Sequence, residues 1–185
     1  MTTEYEKQQT SQWYNPDDAE IKSLQDKSRV LMNSFNSEKD KQKRLEIMKK
    51  WLKSAGETSY IEPNVFIDFG CHVELGENVY LNTGCILLDS AKIQIGDNTM
   101  IGSGVQILTP NHPLDARERT TRQDFEIAQP VVIGKNCWIG SGAIILPNVK
   151  IGDNTTIGAG SVVTKDIPSD CVAVGNPCRV VKYLK

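Results

Sequence analysis

Residues 132–163, VIGKNCWIGSGAIILPNVKIGDNTTIGAGSVV, repeat one pattern every six positions. An aliphatic residue marks each repeat, and the series is Ile133, Ile139, Ile145, Ile151, Ile157 and Val163. Glycine follows in four of the six repeats, at Gly134, Gly140, Gly152 and Gly158. The position four residues after each aliphatic residue is small or β-branched: Cys137, Ala143, Val149, Thr155, Ser161 and Ile167. This period is neither that of a helix nor the alternation of an ordinary strand.

Short strands that turn a corner every six residues explain this period. Each strand would place one aliphatic side chain inside, where it stacks on those of neighbouring coils about 4.8 Å away. Glycine and asparagine next to the aliphatic residues suit tight corners, as at Gly152-Asp153-Asn154. The sequence therefore predicts a mainly β protein, built as a parallel β-helix.

The first part of the repeat contains two irregularities. Leu75, Leu81, Leu87 and Ile93 follow the period, which then shifts by two residues to Ile95, Ile101 and Ile107. We expect a bulge or an adjusted corner at this shift. Between Ile107 and Ile133 the repeat stops in a polar stretch, which predicts a loop inserted at about 108–131.

The N-terminal third has helical periodicity instead. Ile21, Leu24, Leu31 and Phe35 form an apolar stripe whose gap is filled by Ser28, and Asp17 or Asp18 could cap this helix. A second helix is predicted over 38–54, with Leu45, Met48, Trp51 and Leu52 on one face. We therefore divide the chain into an N-terminal helical segment, 1–59, and a β-helix domain, 60–185, with the inserted loop and a C-terminal tail.

Composition limits the possible functions. The 185 residues include 21 Lys and Arg and 23 Asp and Glu, for a net charge of −2, which argues against nucleic-acid binding. The sequence has no apolar run of membrane-spanning length and no signal-peptide core, so we expect no membrane association and a cytoplasmic location. Five cysteines without a CxxC pair predict free thiols. Two histidines are too few for a histidine-rich metal site, although mixed ligation stays open.

Four further segments carry a family resemblance. They are Ile95-Gly96-Asp97-Asn98, Asn111-His112-Pro113-Leu114-Asp115, the run from Ile157 to Pro168, and Gly175-Asn176-Pro177-Cys178-Arg179. With the repeat and the helical N-terminus, they resemble the hexapeptide-repeat acyltransferases, specifically the maltose and galactoside O-acetyltransferase group. The resemblance implies a left-handed coil and a homotrimer whose site lies between subunits. It also implies acetyl-CoA as co-substrate, a small sugar-like acceptor and no metal requirement.

His112 is the candidate catalytic residue. From the residues alone it could either pack at the base of the loop or act as a general base, since imidazole titrates near neutral pH. The resemblance implies the second role, with His112 taking the proton of an acceptor hydroxyl during direct transfer. It also implies that a backbone N–H at Ser141 stabilises the oxyanion.

The resemblance assigns acceptor contacts to positions in the N-terminal segment, in the first part of the repeat and in the inserted loop. They are Asp18, Asp68, Tyr80, Asn82, Asp89 and Glu126. Helix capping remains an alternative for Asp18, and corner hydrogen bonding remains one for Asn82 and Asp89. Galactoside acetyltransferases have serine and aspartate where this chain has Asp68 and Ser90, so galactoside specificity stays open.

The resemblance also assigns contacts to acetyl-CoA. They are Asn82, Trp138, Ser141, Ala159, Thr164, Lys165, Arg179 and Lys182. The three basic side chains suit the phosphates of the nucleotide. Simple solvation is the alternative for Lys182, and packing is the alternative for Trp138.

Three other functions compete with this interpretation. A non-catalytic β-helix binding protein would explain the repeat but not the histidine loop. A γ-type carbonic anhydrase uses three histidines for zinc, and this chain has two. An acetyltransferase for serine or an amine has the same chemistry, and only an acceptor screen would distinguish it.

Overall fold

The computed structural model describes residues 2–185, in which three sheets form the faces of a coiled prism. Their strands pair in parallel, except that the last strand of the chain pairs antiparallel with the strand before it. Sheet I contains β2 (Ser54–Ala55), β5 (Val73–Leu75), β8 (Ile93–Ile95), β13 (Val131–Ile133) and β16 (Lys150–Ile151). Sheet II contains β3 (Tyr60–Ile61), β6 (Tyr80–Leu81), β9 (Met100–Ile101), β14 (Trp138–Ile139), β17 (Thr156–Ile157), β19 (Cys171–Val174) and β20 (Arg179–Tyr183). Sheet III contains β4 (Phe66–Ile67), β7 (Ile86–Leu88), β10 (Gln106–Leu108), β15 (Ile144–Ile145) and β18 (Val162–Val163).

The aliphatic series forms the core of the prism. Ile139 pairs in register with Ile101 on one side and Ile157 on the other, and all three are buried. Burying one such side chain stabilises the fold by about 1.5–3 kcal/mol, so the stacked series contributes strongly to the cohesion between coils. The predicted parallel β-helix is confirmed, and its left-handedness stays a prediction.

Three corners connect the sheets along each coil. The first follows sheet I, the second follows sheet II, and the third follows sheet III. The two-residue shift in the repeat is an enlarged third corner, which spans Asp89 to Lys92 between β7 and β8. In the next coil, the long loop is inserted at the same third corner, between β10 and β13. Insertions at this corner therefore accumulate on one edge of the prism.

The N-terminal segment covers one end of the prism. It contains α1 (Glu4–Gln9), β1 (Trp13–Tyr14), α2 (Ala19–Ser37) and α3 (Lys41–Trp51). Ser28 leaves room for Trp51, whose indole Nε1–H donates to the Ser28 hydroxyl at 2.8 Å. The second helix is shorter than predicted because the Asp40 side chain caps its start. Beyond its end, β2 already pairs with β5, so sheet pairing begins before residue 60.

The inserted loop has secondary structure of its own. It contains β11 (Pro110–Asn111), α4 (Ala116–Thr121) and β12 (Glu126–Ala128). β12 pairs antiparallel with both β11 and β1, which makes a three-stranded sheet outside the prism. The N-terminal segment and the loop are therefore joined by backbone hydrogen bonds.

Over residues 2–185, no helix combines the length and the apolar composition that a membrane span needs.

Candidate active site

The inserted loop, the third corner and the N-terminal segment enclose a cavity of about 360 Å³, here called the His112 cavity. Three of the predicted site residues line it, namely His112, Asp68 and Glu126. The remaining polar side chains of its lining include Gln8, Asp17, Lys22, Gln25 and Ser90. Residues that are distant in sequence thus meet around one polar space.

His112 follows β11 and is exposed to this cavity. Its Nδ1 lies 2.9 Å from the carbonyl oxygen of Phe125, and the two rings stack at 6.0 Å. Because a carbonyl can only accept, Nδ1 must carry the hydrogen. In the neutral ring, Nε2 then has a free lone pair, which is the form that a general base requires.

Glu126 is half-buried at the start of β12. The Tyr14 hydroxyl donates to its Oε1, and the Ser90 hydroxyl lies 3.4 Å from the same oxygen. Burial raises the pKa of Glu126, whereas the Tyr14 bond and the charge of His112 act in the opposite direction. Glu126 and His112 line the same cavity, so a positive charge on the imidazole would favour the ionised form of the Glu126 carboxyl.

Asp68 is held by two side chains of α2. Arg29 Nη2 lies 2.8 Å from its Oδ1, and Gln25 Nε2 lies 3.1 Å from its Oδ2. Both carboxylate oxygens therefore already accept a hydrogen bond from the protein. Asp68 lines the cavity. Each of its carboxylate oxygens can still accept one further hydrogen bond from a bound molecule.

Asp18 and Asp17 differ in their positions. The Asp18 side chain accepts a hydrogen bond from the Glu20 N–H and caps α2. This is the helix-capping role that the sequence offered as the alternative to an acceptor contact. Asp17 lines the cavity and pairs with Lys22 at 3.0 Å. The acidic group that the N-terminal segment brings to the cavity is thus Asp17.

Asp89 lies behind the cavity wall instead of lining it. Its side chain is 0 % exposed, and its Oδ1 accepts the Phe69 N–H at 2.8 Å. Burial raises the pKa of this carboxyl to about 7. The prediction of a direct sugar contact does not fit this position, because a fully buried carboxyl cannot reach an acceptor without movement of the corner. Asp89 instead forms a hydrogen bond within the third corner, which was the alternative role that the sequence offered for it.

Five other predicted residues lie on sheet II and the second corner. Tyr80 stacks on Tyr60 at 6.4 Å, and the Asn82 side chain accepts the Thr83 N–H. The group also includes Trp138, Ser141 and Ala159, whose side chains are exposed. None of the five lines the His112 cavity of the same chain.

The second corner has an open surface. Gly142 and Gly160 have φ angles of +68°, and a Cβ at either would meet no atom within 4 Å. Glycine therefore permits the positive φ angle at this corner, and its lack of a side chain leaves the surface next to Ser141 and Ala159 uncovered. A thin, extended molecule could lie along this corner.

A second cavity, of about 200 Å³, contains predicted basic residues and is here called the Arg179 cavity. Lys165, Asp166, Cys178 and Arg179 are among its lining residues. Thr164 precedes Lys165 and is exposed, as is Lys182 on β20. The structure therefore brings Lys165 and Arg179 together, although they are distant in sequence.

The other histidine has a structural position. His72 is buried, with Nδ1 2.6 Å from the Asp89 carbonyl oxygen and Nε2 3.1 Å from the Tyr5 hydroxyl. Burial lowers its pKa, so the ring is neutral near pH 7. Within residues 2–185, no three or more His, Cys, Asp or Glu side chains are grouped to hold a metal ion.

Tyr14 and Ser90 both contact the Glu126 carboxyl. The sequence patterns assigned no role to Tyr14, and the resemblance marked Ser90 only as a position where galactoside acetyltransferases have aspartate. Tyr14 follows Trp13 just before Asn15-Pro16, outside any periodic segment. The one available signal was an aromatic pair in a polar stretch, which does not specify a partner 112 positions away.

Comparison with known proteins identifies the family. Residues 130–165 match the profile described as bacterial transferase hexapeptide (six repeats), and residues 10–56 match the maltose acetyltransferase hexapeptide capping motif. The galactoside O-acetyltransferase of Escherichia coli is 38% identical over 160 residues, 85% of this chain and 78% of the relative. The chain belongs to the hexapeptide-repeat acetyltransferases of the maltose and galactoside O-acetyltransferase group.

Solved structures agree with this assignment. A maltose O-acetyltransferase from Clostridium difficile 630 superimposes with a TM-score of 0.96 at 44% identity, covering 99% of this chain and 98% of that one. A hexapeptide-repeat acetyltransferase from Vibrio cholerae, in complex with acetyl coenzyme A, gives 0.92 at 31% identity and covers 99% of both chains. The predicted acetyltransferase activity is thereby confirmed.

Proposed function

We propose that this acetyltransferase moves the acetyl group of acetyl-CoA to a hydroxyl of a small sugar-like acceptor bound in the His112 cavity. The observation that carries the proposal is the hydrogen bond between His112 Nδ1 and the Phe125 carbonyl, which leaves Nε2 free to accept a proton. The cavity is polar and contains carboxylate and hydroxyl groups, which suit an acceptor with several hydroxyl groups.

The proposed reaction is a single direct transfer. His112 Nε2 accepts the proton of the acceptor hydroxyl as its oxygen bonds to the acetyl carbon. The backbone N–H of Ser141 donates to the oxyanion that forms. The carbon–sulfur bond then breaks, and His112 returns the proton to the CoA thiolate.

No covalent acetyl-enzyme is needed in this scheme. The buried cysteines also argue against one, since burial raises the pKa of Cys85 to about 11 and leaves the thiol protonated. Cys137 is likewise buried, and its pKa is raised for the same reason.

Acetyl-CoA is proposed to bind along the second corner and in the Arg179 cavity. The pantetheine arm would follow the open surface at Ser141 and Ala159, past Trp138 and Asn82. Lys165 and Arg179 would meet the phosphates, with Thr164 and Lys182 nearby. The separation of these positions from the His112 cavity supports a site completed by another subunit.

The proposed assembly is a homotrimer. In a closed ring, the third corner of one chain can face the second corner of the next, which unites the two halves of the site. Tyr80 and Asn82 would then approach the acceptor from the neighbouring chain. A monomer mass in light scattering at micromolar concentration would contradict this arrangement.

An acceptor panel tests the proposed function. Sugars, serine and simple amines are incubated separately with acetyl-CoA, and the release of free thiol is measured. We expect turnover with one or more sugars, because their hydroxyl groups match the lining of the His112 cavity. Turnover of serine or amines alone would contradict the proposed acceptor class and favour the alternative acetyltransferase.

A further inference from the structure

Tyr14 is the largest completely buried side chain of the N-terminal segment, at 0 % exposure, and it touches the wall of the His112 cavity. Its hydroxyl donates to Glu126 Oε1. A buried phenol ordinarily needs one hydrogen-bond partner, and here that partner is an ionisable carboxyl group that lines the same cavity as the proposed base. This contact is therefore more than packing.

The backbone makes the same connection. In β1, Tyr14 pairs with Glu126 of β12, and Trp13 pairs with Ile127. β12 also pairs with β11, which ends at Asn111 directly before His112. Phe125, whose carbonyl holds His112 Nδ1, directly precedes β12. One small sheet thus connects Tyr14 with both the carboxylate and the imidazole.

We propose that Tyr14 is a positioning residue, which holds the Glu126 carboxylate and the strand beside it in place so that Glu126 can support His112. This inference rests on the proposed role of His112 as the base. It adds a function in the reaction to the N-terminal segment, which also covers the prism and lines part of the His112 cavity.

The charge balance around Glu126 explains how this would work. Tyr14 faces it from β1, His112 from the loop, and Asp68 from the third corner. When His112 takes a proton in the transition state, an ionised Glu126 stabilises the imidazolium. Burial raises the pKa of Glu126, and the Tyr14 bond lowers it and so favours the ionised form. The negative charge of Asp68 raises the pKa of Glu126, as burial does. Asp68 itself forms a salt bridge with Arg29.

Tyr14→Phe is the direct test, because it removes the hydroxyl and keeps the ring. Without the phenol bond the pKa of Glu126 rises further, so this group becomes neutral at a higher pH. We expect kcat/KM for the acceptor to fall about tenfold at pH 6, the effect of one hydrogen bond to a charged group, and less than about threefold at pH 8.5. Measured against pH, the acid limb of the profile moves upward.

Two variants isolate the cause. Trp13→Phe alters the neighbouring residue of the same strand and should leave the pH profile unchanged. Glu126→Gln removes the titrating group, so adding Tyr14→Phe to it should move the acid limb no further. Glu126→Gln alone should lower kcat/KM at pH 8.5 about tenfold relative to wild type, the same factor as for Tyr14→Phe at pH 6, which tests the inference even if Tyr14→Phe does not fold.

Two outcomes would overturn the inference. The first is an equal loss for Tyr14→Phe at every pH, which indicates packing alone. The second is the same upward shift in the Glu126→Gln background, which indicates that Tyr14 acts on a titrating group other than Glu126. Full activity of His112→Ala would instead contradict the proposed function on which the inference rests. The two failures are therefore distinguishable.

Discussion

Lys165 and Arg179 differ from the other basic residues of the chain in sharing a cavity near the C-terminus. Within residues 2–185, neither side chain forms a salt bridge, so each keeps its charge for a bound anion. Arg179 Nη1 donates to the Cys178 carbonyl at 2.7 Å, which orients one side of the guanidinium. Its remaining donors suit a phosphate group.

Arg179→Ala should raise the KM for acetyl-CoA about tenfold or more, the cost of one hydrogen bond to a charged group, and leave kcat within about twofold. The phosphates lie far from the reacting carbonyl, so their contacts contribute equally to substrate and transition-state binding. Steady-state kinetics with acetyl-CoA measure this effect. Lys150→Ala is the matched control, because Lys150 is exposed on β16 outside the cavity. An unchanged KM in Arg179→Ala would remove the assignment.

Three residues show what the sequence could and could not predict about the site. The loop motif was sufficient to select His112, whereas the carbonyl of Phe125 that fixes its tautomer comes from the far end of the loop. Asp89 matched a site position, but its side chain is completely buried in the third corner, where it accepts the Phe69 N–H. No sequence pattern predicted the role of Tyr14, because its contact with the loop forms only when the folded coil brings the N-terminal segment and the loop together.

At the scale of the elements, asparagines form a ladder along the first corner. Asn78, Asn98, Asn136 and Asn154 donate in sequence to the next side chain, and Asp170 accepts the last bond at 2.8 Å. All five have φ angles between 55° and 58°. Asparagine tolerates this left-handed conformation better than most residues, so the ladder combines backbone fit with side-chain bonding.

Asn136 lies inside this ladder and is suited to separating the two effects. Asn136→Gly keeps the backbone conformation and removes two ladder bonds, which should lower the free energy of unfolding by about 1–3 kcal/mol. Asn136→Ala should lose roughly a further 1–2 kcal/mol, because alanine is strained at positive φ. Reversible urea unfolding measures both. Equal stability of Asn136→Gly and the wild-type protein would show that the ladder contributes nothing.

The elements were predictable to different degrees. The six-residue period was sufficient for the stacked strands, because each coil repeats the same local requirement. It also located the loop by its interruption. The period could not predict β1 or β12, which pair across the chain without a repeat. The second helix was predicted too long, since its apolar face continues to Leu52 after the backbone has left the helix.

At the scale of the whole molecule, the predicted site divides into two parts. The His112 cavity lies at the third corner, whereas Asn82, Ser141 and Ala159 lie at the second. The resemblance grouped these residues in one site, and a single chain keeps them apart. The proposed homotrimer would bring these residues together, because a closed ring can place the third corner of one chain against the second corner of the next at every interface.

The most direct test of the account is the turnover of His112→Ala. His112 is exposed, so its truncation leaves no buried cavity, and melting temperature and acetyl-CoA affinity should stay close to wild type. We expect kcat and kcat/KM to fall together by about 10²–10⁴, the contribution of a general base. Leu114→Ala, at a loop residue that is 95% exposed, is the control and should keep full activity. A folded His112→Ala enzyme that transfers acetyl groups within about threefold of wild type, well below that range, would contradict the account.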